Sequence, residues 1–457
     1  MGTSIQSTSI AGKNRRRRLL AAALPWLLAL PALAEPAPSL PDRAETVAAI
    51  RAQAGEITGQ PQDYDALLAS IGAARLVLLG EGTHGSAEFY RERARITRRL
   101  IAEKGFDTVI LESGWAPAAR LDAYVRGRSA DRSSGEALRD YRRFPGWTWR
   151  NAEFAAFLEE LRAHNAALPP GRPRVALYGM DIYEAPEAAV KVVDYLRTRD
   201  ATAARRAKGD YRCFAPYRRQ AFDPMYYGRD VARGWMPSCE KRVGSRVEAV
   251  RRLAAEAGDD AGFAALLGAR TVHGAEAYYR AVYGRGGSWN VRERHLAESI
   301  DLILGRHGKA VVWAHNTHQG DARATGYGAA GLLTIGQLAR ERYGEEAVFL
   351  VGLTTAAGTV RAASGWATTD RVKELAPAHP DSWQALFHDV GLPAFLLDFR
   401  RDQGLAGHLE QRRPDRAIGV NYFPDAEEKN HYHPVRPARA YDALIHIDLT
   451  RAVQPLP

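Results

Sequence analysis

Apolar residues along this chain fall into two patterns: short continuous runs, and longer stretches in which they recur every three or four positions. The runs "ARLVLLGE" (74–81), "FDTVILES" (106–113), "PRVALYGMD" (173–181), "KAVVWAHN" (309–316), "EAVFLVGL" (346–353), "PAFLLDF" (393–399) and "ALIHID" (443–448) are of strand length. Strands covered on both faces read this way. With helical spacing between most of them, the pattern predicts an α/β fold, a mostly parallel sheet in a three-layer α/β/α arrangement. No such run occurs between Asp181 and Lys309, where "EAAVKVVDYLRTRDATAARRAKGD" and the stretch from Lys241 to Arg280 keep helical spacing. A long helical insertion at about 185–308 is therefore expected between two strands.

The first residues follow a different pattern. "AGKNRRRRLLAAALPWLLALPALAEPAP" joins a basic segment, Arg15 to Arg18, to an apolar stretch from Leu19 and a small-residue site, Ala32 to Ala34. This is the layout of an export signal. Residues 1–34 are expected to be cleaved, leaving a domain of residues 35–457 in the periplasm or outside the cell. The stretch is Pro-interrupted and shorter than the ~20 apolar residues of a stable membrane anchor.

Loss of the signal, with Lys13 and its four arginines, halves the formal charge of +10. The remaining arginines alternate with acids, as in "RERARITRRLIAEK", which describes a solvated face and no nucleic-acid site. The two cysteines, Cys213 and Cys239, both lie in the helical insertion. In an oxidising compartment they are expected to pair, a closure that stabilises by about 3 to 4 kcal/mol in the chain-entropy model.

In open α/β sheets chemistry gathers at the carboxyl ends of the strands. Glu81 and His84 follow the first run, Glu112 the second, Asp181 the third, and His315 and His318 the fourth. Each alone is an ordinary structural residue or helix cap; together they would form a cluster in which proton transfer can be tuned. In the helix after the first turn, Phe89, Arg93, Ile96 and Leu100 share one stripe. A cation on that stripe needs an anion, so Arg93 is expected to meet Glu81, Glu112 or a substrate oxyanion. Glu88, in the same first turn, complements the helix dipole.

These motifs resemble those of the erythromycin esterase family: "GEGTHG", Arg93 nine residues after His84, "LESGW", "WAHNTH", and the arginine-acid helix "WNVRERHLAESI" with Arg292, Glu293 and Leu296. The resemblance runs from about Leu76 to about Ile447. It implies an esterase in which His84 is the base that activates water, Glu81 and Glu112 orient it, Arg93 stabilises charge and His315 is a second histidine. His318, Glu88, Trp115, Asp181 and Arg292 are expected to bind substrate. Gly82, Thr83 and Gly85 stand where the resistance enzymes commonly carry bulkier residues.

The residues lead to the same chemistry without the resemblance. No GxSxG elbow precedes a helix, so a serine nucleophile has no evident seat and direct attack by water is favoured. A neutral His84 held by Glu81 would take the water's proton, and Arg93 or a turn amide would meet the oxyanion of an ester or lactone, macrolides included. No cofactor or metal is called for, and the partner is a small-molecule substrate. Two other readings use the same residues. One is a metal-dependent hydrolase built on the His/Glu cluster; the other is a non-catalytic periplasmic protein that binds a ligand such as haem or a polyketide.

Overall fold

The computed structural model describes residues 42–217, 223–284 and 287–457; the export-signal segment, its cleavage site and the Pro-rich stretch after it lie outside them. The strands are β1 (Gly55–Glu56), β2 (Leu76–Leu79), β3 (Thr108–Gly114), β4 (Ala176–Asp181), β5 (Ala310–Trp313), β6 (Val348–Ala362), β7 (Arg371–Glu374), β8 (Ala394–Asp398), β9 (Arg413–Arg416), β10 (Tyr432–Val435) and β11 (Ala443–Thr450). The main sheet has the order β1-β8-β11-β6-β2-β5-β3-β4, with β7 on the extension of β6. From β11 to β4 the neighbours are parallel. β8 and β1 join antiparallel at one edge.

Alternation explains the layers. Leu76, Leu78, Ile110 and Val312 point into one core; Val77, Leu79, Val109, Leu111 and Trp313 point into another. The first core is closed by Ala185–Arg199, Glu240–Ala257, Asp260–Val282 and Trp289–His307, the second by Ala87–Lys104 and Ala152–Ala167. Because successive side chains of a strand face opposite ways, continuous apolar runs require this double cover.

Among the described residues, nothing between β4 and β5 is a strand. The helical insertion therefore forms as expected, and it carries the Cys213–Cys239 disulfide, with a Cα–Cα separation of 6.5 Å. Among the described residues no helix is long and apolar enough to cross a membrane. After the insertion the chain drops back between β2 and β3 to form β5, then crosses β2 to form β6. The carboxyl ends of β2, β5, β3 and β4 thus lie side by side at the point where the winding reverses, the usual place for a ligand crevice.

Candidate active site

The turn after β2 is held rigidly. The His84 N–H donates to the Ile418 carbonyl at 3.1 Å, and the Ile418 N–H donates to the Gly82 carbonyl at 2.9 Å. A Cβ on Gly85 would stand 2.0 Å from the Arg361 carbonyl oxygen, so any side chain there would push the turn off the β6 extension. Held this way, His84 places Nδ1 2.8 Å from Glu81 Oε1. Glu81 is buried and His84 lines a cavity.

Arg93 lies behind this pair, fully buried with Phe89, Ile96 and Leu100 as the stripe predicts. Its Nη2 is 2.7 Å from Glu81 Oε2, yet none of its N–H groups is aligned on an acceptor. The pair is a charge contact, and the guanidinium packs over the rings of Tyr90 and Trp313, at 4.6 and 4.7 Å. Of the anions expected for it, Arg93 meets Glu81; it does not line the cavity where a substrate oxyanion would lie. It neutralises Glu81 from the far side.

The other half of the cluster is organised by Arg292, from the helix Trp289–His307. Its guanidinium bridges Asp181 at the end of β4 through two bonds, 3.0 and 2.6 Å, and reaches Glu112 on β3 at 2.9 Å. Glu112 Oε2 also accepts the His315 backbone N–H at 2.8 Å. Burial alone would raise the Glu112 carboxyl, but His318 and Arg292 hold it well below the usual carboxylate range.

His318 sits between two acids. Its Nδ1 is 2.5 Å from Glu293 Oε1 and its Nε2 is 3.2 Å from Glu112 Oε1. Arg292 Nη1 also approaches Nε2, at 2.9 Å, a contact that is a hydrogen bond only to a neutral ring. Burial disfavours charge on the ring, yet the carboxylates of Glu112 and Glu293 outweigh it and Arg292, raising His318 to about 9. We therefore describe an imidazolium that donates to both acids, with the indole of Trp289 stacked on it at 4.7 Å.

His315 is the opposite case. Its Nδ1 faces the Thr317 hydroxyl at 2.8 Å and accepts the Thr317 N–H at 3.3 Å. Burial and the nearby His84, whose ring lies 4.7 Å away, push it well below the usual histidine range. A neutral ring that accepts at Nδ1 carries its proton on Nε2; that nitrogen is buried, with the Gly82 backbone as its neighbour and no well-aligned acceptor among the described residues.

His84, Glu112, Asp181, Arg292, His315 and His318 all line one cavity of about 430 Å³. Glu81 and Arg93 support it from behind. Glu88 is not brought there; it accepts the Arg451 N–H and faces the Arg451 guanidinium, at 2.7 and 3.2 Å. Trp115 is not brought there either. It is buried in the core against the helix Asp260–Val282, where a Cβ on Gly268 would stand 2.7 Å from its ring. "LESGW" ends as β3 passes into the next helix, and the first helical turn carries the indole under the sheet edge.

Sequence reasoning did not single out Glu293 as the second acid of His318, nor Tyr183, Glu184, Trp289 and Tyr327 on the cavity wall. The acid beside Arg292 was a legible signal for the first: Glu293 shares an otherwise apolar helix face with Leu296 and Ile300, all buried. The aromatics carried no comparable signal. Among the described residues, no group of three or more His, Cys, Asp or Glu side chains is placed to hold a metal ion. Glu112 Oε1 and both oxygens of Asp181 are directed at Arg292, Glu112 Oε2 at the His315 N–H, and both nitrogens of His318 at acids.

The family model described as Erythromycin esterase matches residues 101–450. The chain belongs to the erythromycin esterase family. A curated member, erythromycin esterase type II of Escherichia coli, is 28% identical over 120 residues, 26% of this chain and 26% of that protein. The chain thus spans about a quarter of the length of the relative it matches.

The fold recurs over nearly the whole chain. A structure described as a succinoglycan biosynthesis protein is 21% identical, with TM-score 0.74, covering 91% of this chain and 99% of that one. A Bacillus cereus protein is 19% identical, with TM-score 0.73, covering 91% and 100%. A mutant of the erythromycin esterase EreC in its open conformation is 16% identical, with TM-score 0.62, covering 87% and 97%. At these identities they speak to the fold of this chain alone.

Proposed function

We propose that this chain hydrolyses an ester or lactone by direct attack of water, with His84 as the base. One observation carries the reading: the 2.8 Å contact between His84 Nδ1 and the buried Glu81. A carboxylate there sets the tautomer with the proton on Nδ1, which leaves Nε2 with a lone pair facing the cavity. Water held at Nε2 attacks the carbonyl as it gives up its proton. The neutral His315, fixed in its tautomer by Thr317, stands beside the His84 ring at 4.7 Å and holds it in place.

Arg93 sets its positive charge against Glu81 from behind, Nη2 to Oε2 at 2.7 Å. Arg292, pinned by Asp181 and Glu112, is a rigid positive group on the far wall for a polar part of the substrate. Macrolides are candidate substrates, alongside smaller esters. Export to the periplasm or beyond is part of the same reading, supported by the signal-like first 34 residues and the disulfide.

The test is a panel of esters, lactones and macrolides offered to the purified mature protein in 18O-water, with and without chelator. Turnover that survives the chelator and places one solvent oxygen in the acid product in a single turnover is expected. A trapped acyl-enzyme, or activity that chelation abolishes and zinc restores, defeats the mechanism. Tight binding of haem or a polyketide without turnover defeats the enzyme reading altogether.

A further inference from the structure

The cavity holds another acid, on the side away from Glu81. Glu184, between β4 and the helix Ala185–Arg199, has φ of 58°, a left-handed conformation that side-chain-bearing residues rarely adopt and that clusters at functional sites. That backbone turns its carboxyl onto the end of β3. Its Oε2 lies only 1.7 Å from where a Cβ on Gly114 would stand, so the carboxyl fits because position 114 has no side chain. Glu184 is partly exposed as a whole and lines the cavity, while Oε2 is buried and has no hydrogen-bond partner among the described residues.

The charges facing it are Arg143, Glu187 and Asp181, with Tyr141 and Tyr279 on the neighbouring elements. Arg143 gives Nη2 to Glu187 at 2.8 Å. Among the described residues no guanidinium is hydrogen-bonded to Glu184.

We propose that Glu184 is the general acid of the hydrolysis, giving its proton to the leaving alkoxide oxygen as the acyl C–O bond breaks. The proposal rests on His84 being the base for water. The His84 ring leans on His315 just beyond β5, at 4.7 Å, and the Glu184 carboxyl rests on Gly114 at the end of β3. Those strands are neighbours, about 4.8 Å apart. His84 and Glu184 line the same cavity, so an ester bound there has the attacking water on the His84 side and the leaving oxygen on the Glu184 side.

Protons balance. Water loses one to His84 as its oxygen bonds the acyl carbon, and the departing alkoxide takes one from Glu184. The imidazolium then returns a proton through solvent to the Glu184 carboxylate. Burial, with Glu187 and Asp181 and against Arg143, lifts the Glu184 carboxyl to about 8, so it holds its proton at neutral pH.

The experiment compares an alkyl ester, whose leaving alkoxide needs a proton, with the p-nitrophenyl ester of the same acid, whose phenolate does not. Glu184→Gln is expected to slow the alkyl ester about 100-fold more than the aryl ester, within the ordinary range of general-acid catalysis. The parent's alkyl-ester rate should fall above pH of about 8, and in Glu184→Gln that fall should be lost.

If Glu184→Gln treats the two esters alike, or the parent's alkyl-ester rate does not fall above that pH, the proposal is wrong. Should the variant not fold, the parent's profiles on the two esters decide, because only the alkyl ester should show the fall. His84→Ala separates the layers of the argument. Slowing both esters keeps the base assignment whatever Glu184 does, and slowing neither removes that assignment and the proposal together.

Discussion

The two halves of the charged cluster use the same residue types and reach opposite states. Beside β2 one carboxylate, Glu81, serves one histidine and one arginine, and His84 lines the cavity. Beside β3 and β4, His318 lies between Glu112 and Glu293 with both nitrogens engaged, and Arg292 is divided between Asp181 and Glu112. The number of acids per histidine decides how each ring is held. One acid orients a ring through a single nitrogen; two acids engage both.

The most severe way to break this comparison is to remove the free ring. His84→Ala is expected to lower kcat by about 10² to 10⁴-fold, the range of general-base catalysis, with a small change in KM and in melting temperature. If His318→Ala lowered kcat as much without loss of stability, the two histidines would have been assigned the wrong way round.

Next in size is the buried cation behind His84. Arg93→Ala leaves Glu81 buried and uncompensated, for an expected loss of about 3 to 5 kcal/mol in denaturant unfolding. Arg93→Lys keeps the charge but loses the flat face that packs over Tyr90 and Trp313. It should unfold closer to the parent while still losing kcat, because Glu81 shifts and takes His84 with it. Parent-like melting and turnover in Arg93→Ala would show that Glu81 needs no partner.

The third test uses pH. His318 is raised from 6.5 to about 9 in the fold, so the folded state binds its proton more tightly than the unfolded chain. The stabilisation is complete below the unfolded value, declines as pH rises above about 6.5, and is gone above about 9. It amounts to about 3 kcal/mol. Glu112 works in the opposite direction: its lowered carboxyl contributes stability above its ordinary value that is lost as pH falls into the acid range. His318→Gln should flatten the alkaline decline of unfolding free energy and leave the acid limb. A slope unchanged by His318→Gln would mean that the ring is neutral and accepts from Arg292.

The smallest effect is expected outside the cluster. Glu88→Gln should change stability by less than about 1 kcal/mol and leave kcat alone, since Glu88 meets Arg451 near the surface. A loss of activity there would place the substrate outside the cavity described above.

Much of this was legible in the sequence because it depends on short-range rules. Continuous apolar runs require cover on both faces, and a parallel sheet gathers its carboxyl-end residues on one edge. Those two facts locate Glu81, His84, Glu112, Asp181, His315 and His318 together. The stripe Phe89–Arg93–Ile96–Leu100 announced a buried cation because helical spacing alone determines which residues share a face. The strands β1, β7, β9 and β10 were not legible. They are short, polar or exposed, as "RVKE" of β7 is, and form only because β6, β8 and their own partners offer edges.

What the tertiary structure alone decided is which nitrogen and which oxygen meet. Arg93 lies behind Glu81 because the helix Ala87–Lys104 packs on the face of the sheet away from the insertion, a consequence of layer order that spacing does not contain. Trp115 leaves the cavity for the core because Gly268, far away in sequence, makes room for its ring. Glu184 turns to the cavity because Gly114 on a neighbouring strand has no side chain. Local residue types specify the elements and the edge on which the chemistry collects. Pairings between residues dozens to hundreds apart are selected by the cost of burying a charge without its partner, and that cost exists only once the chain has folded.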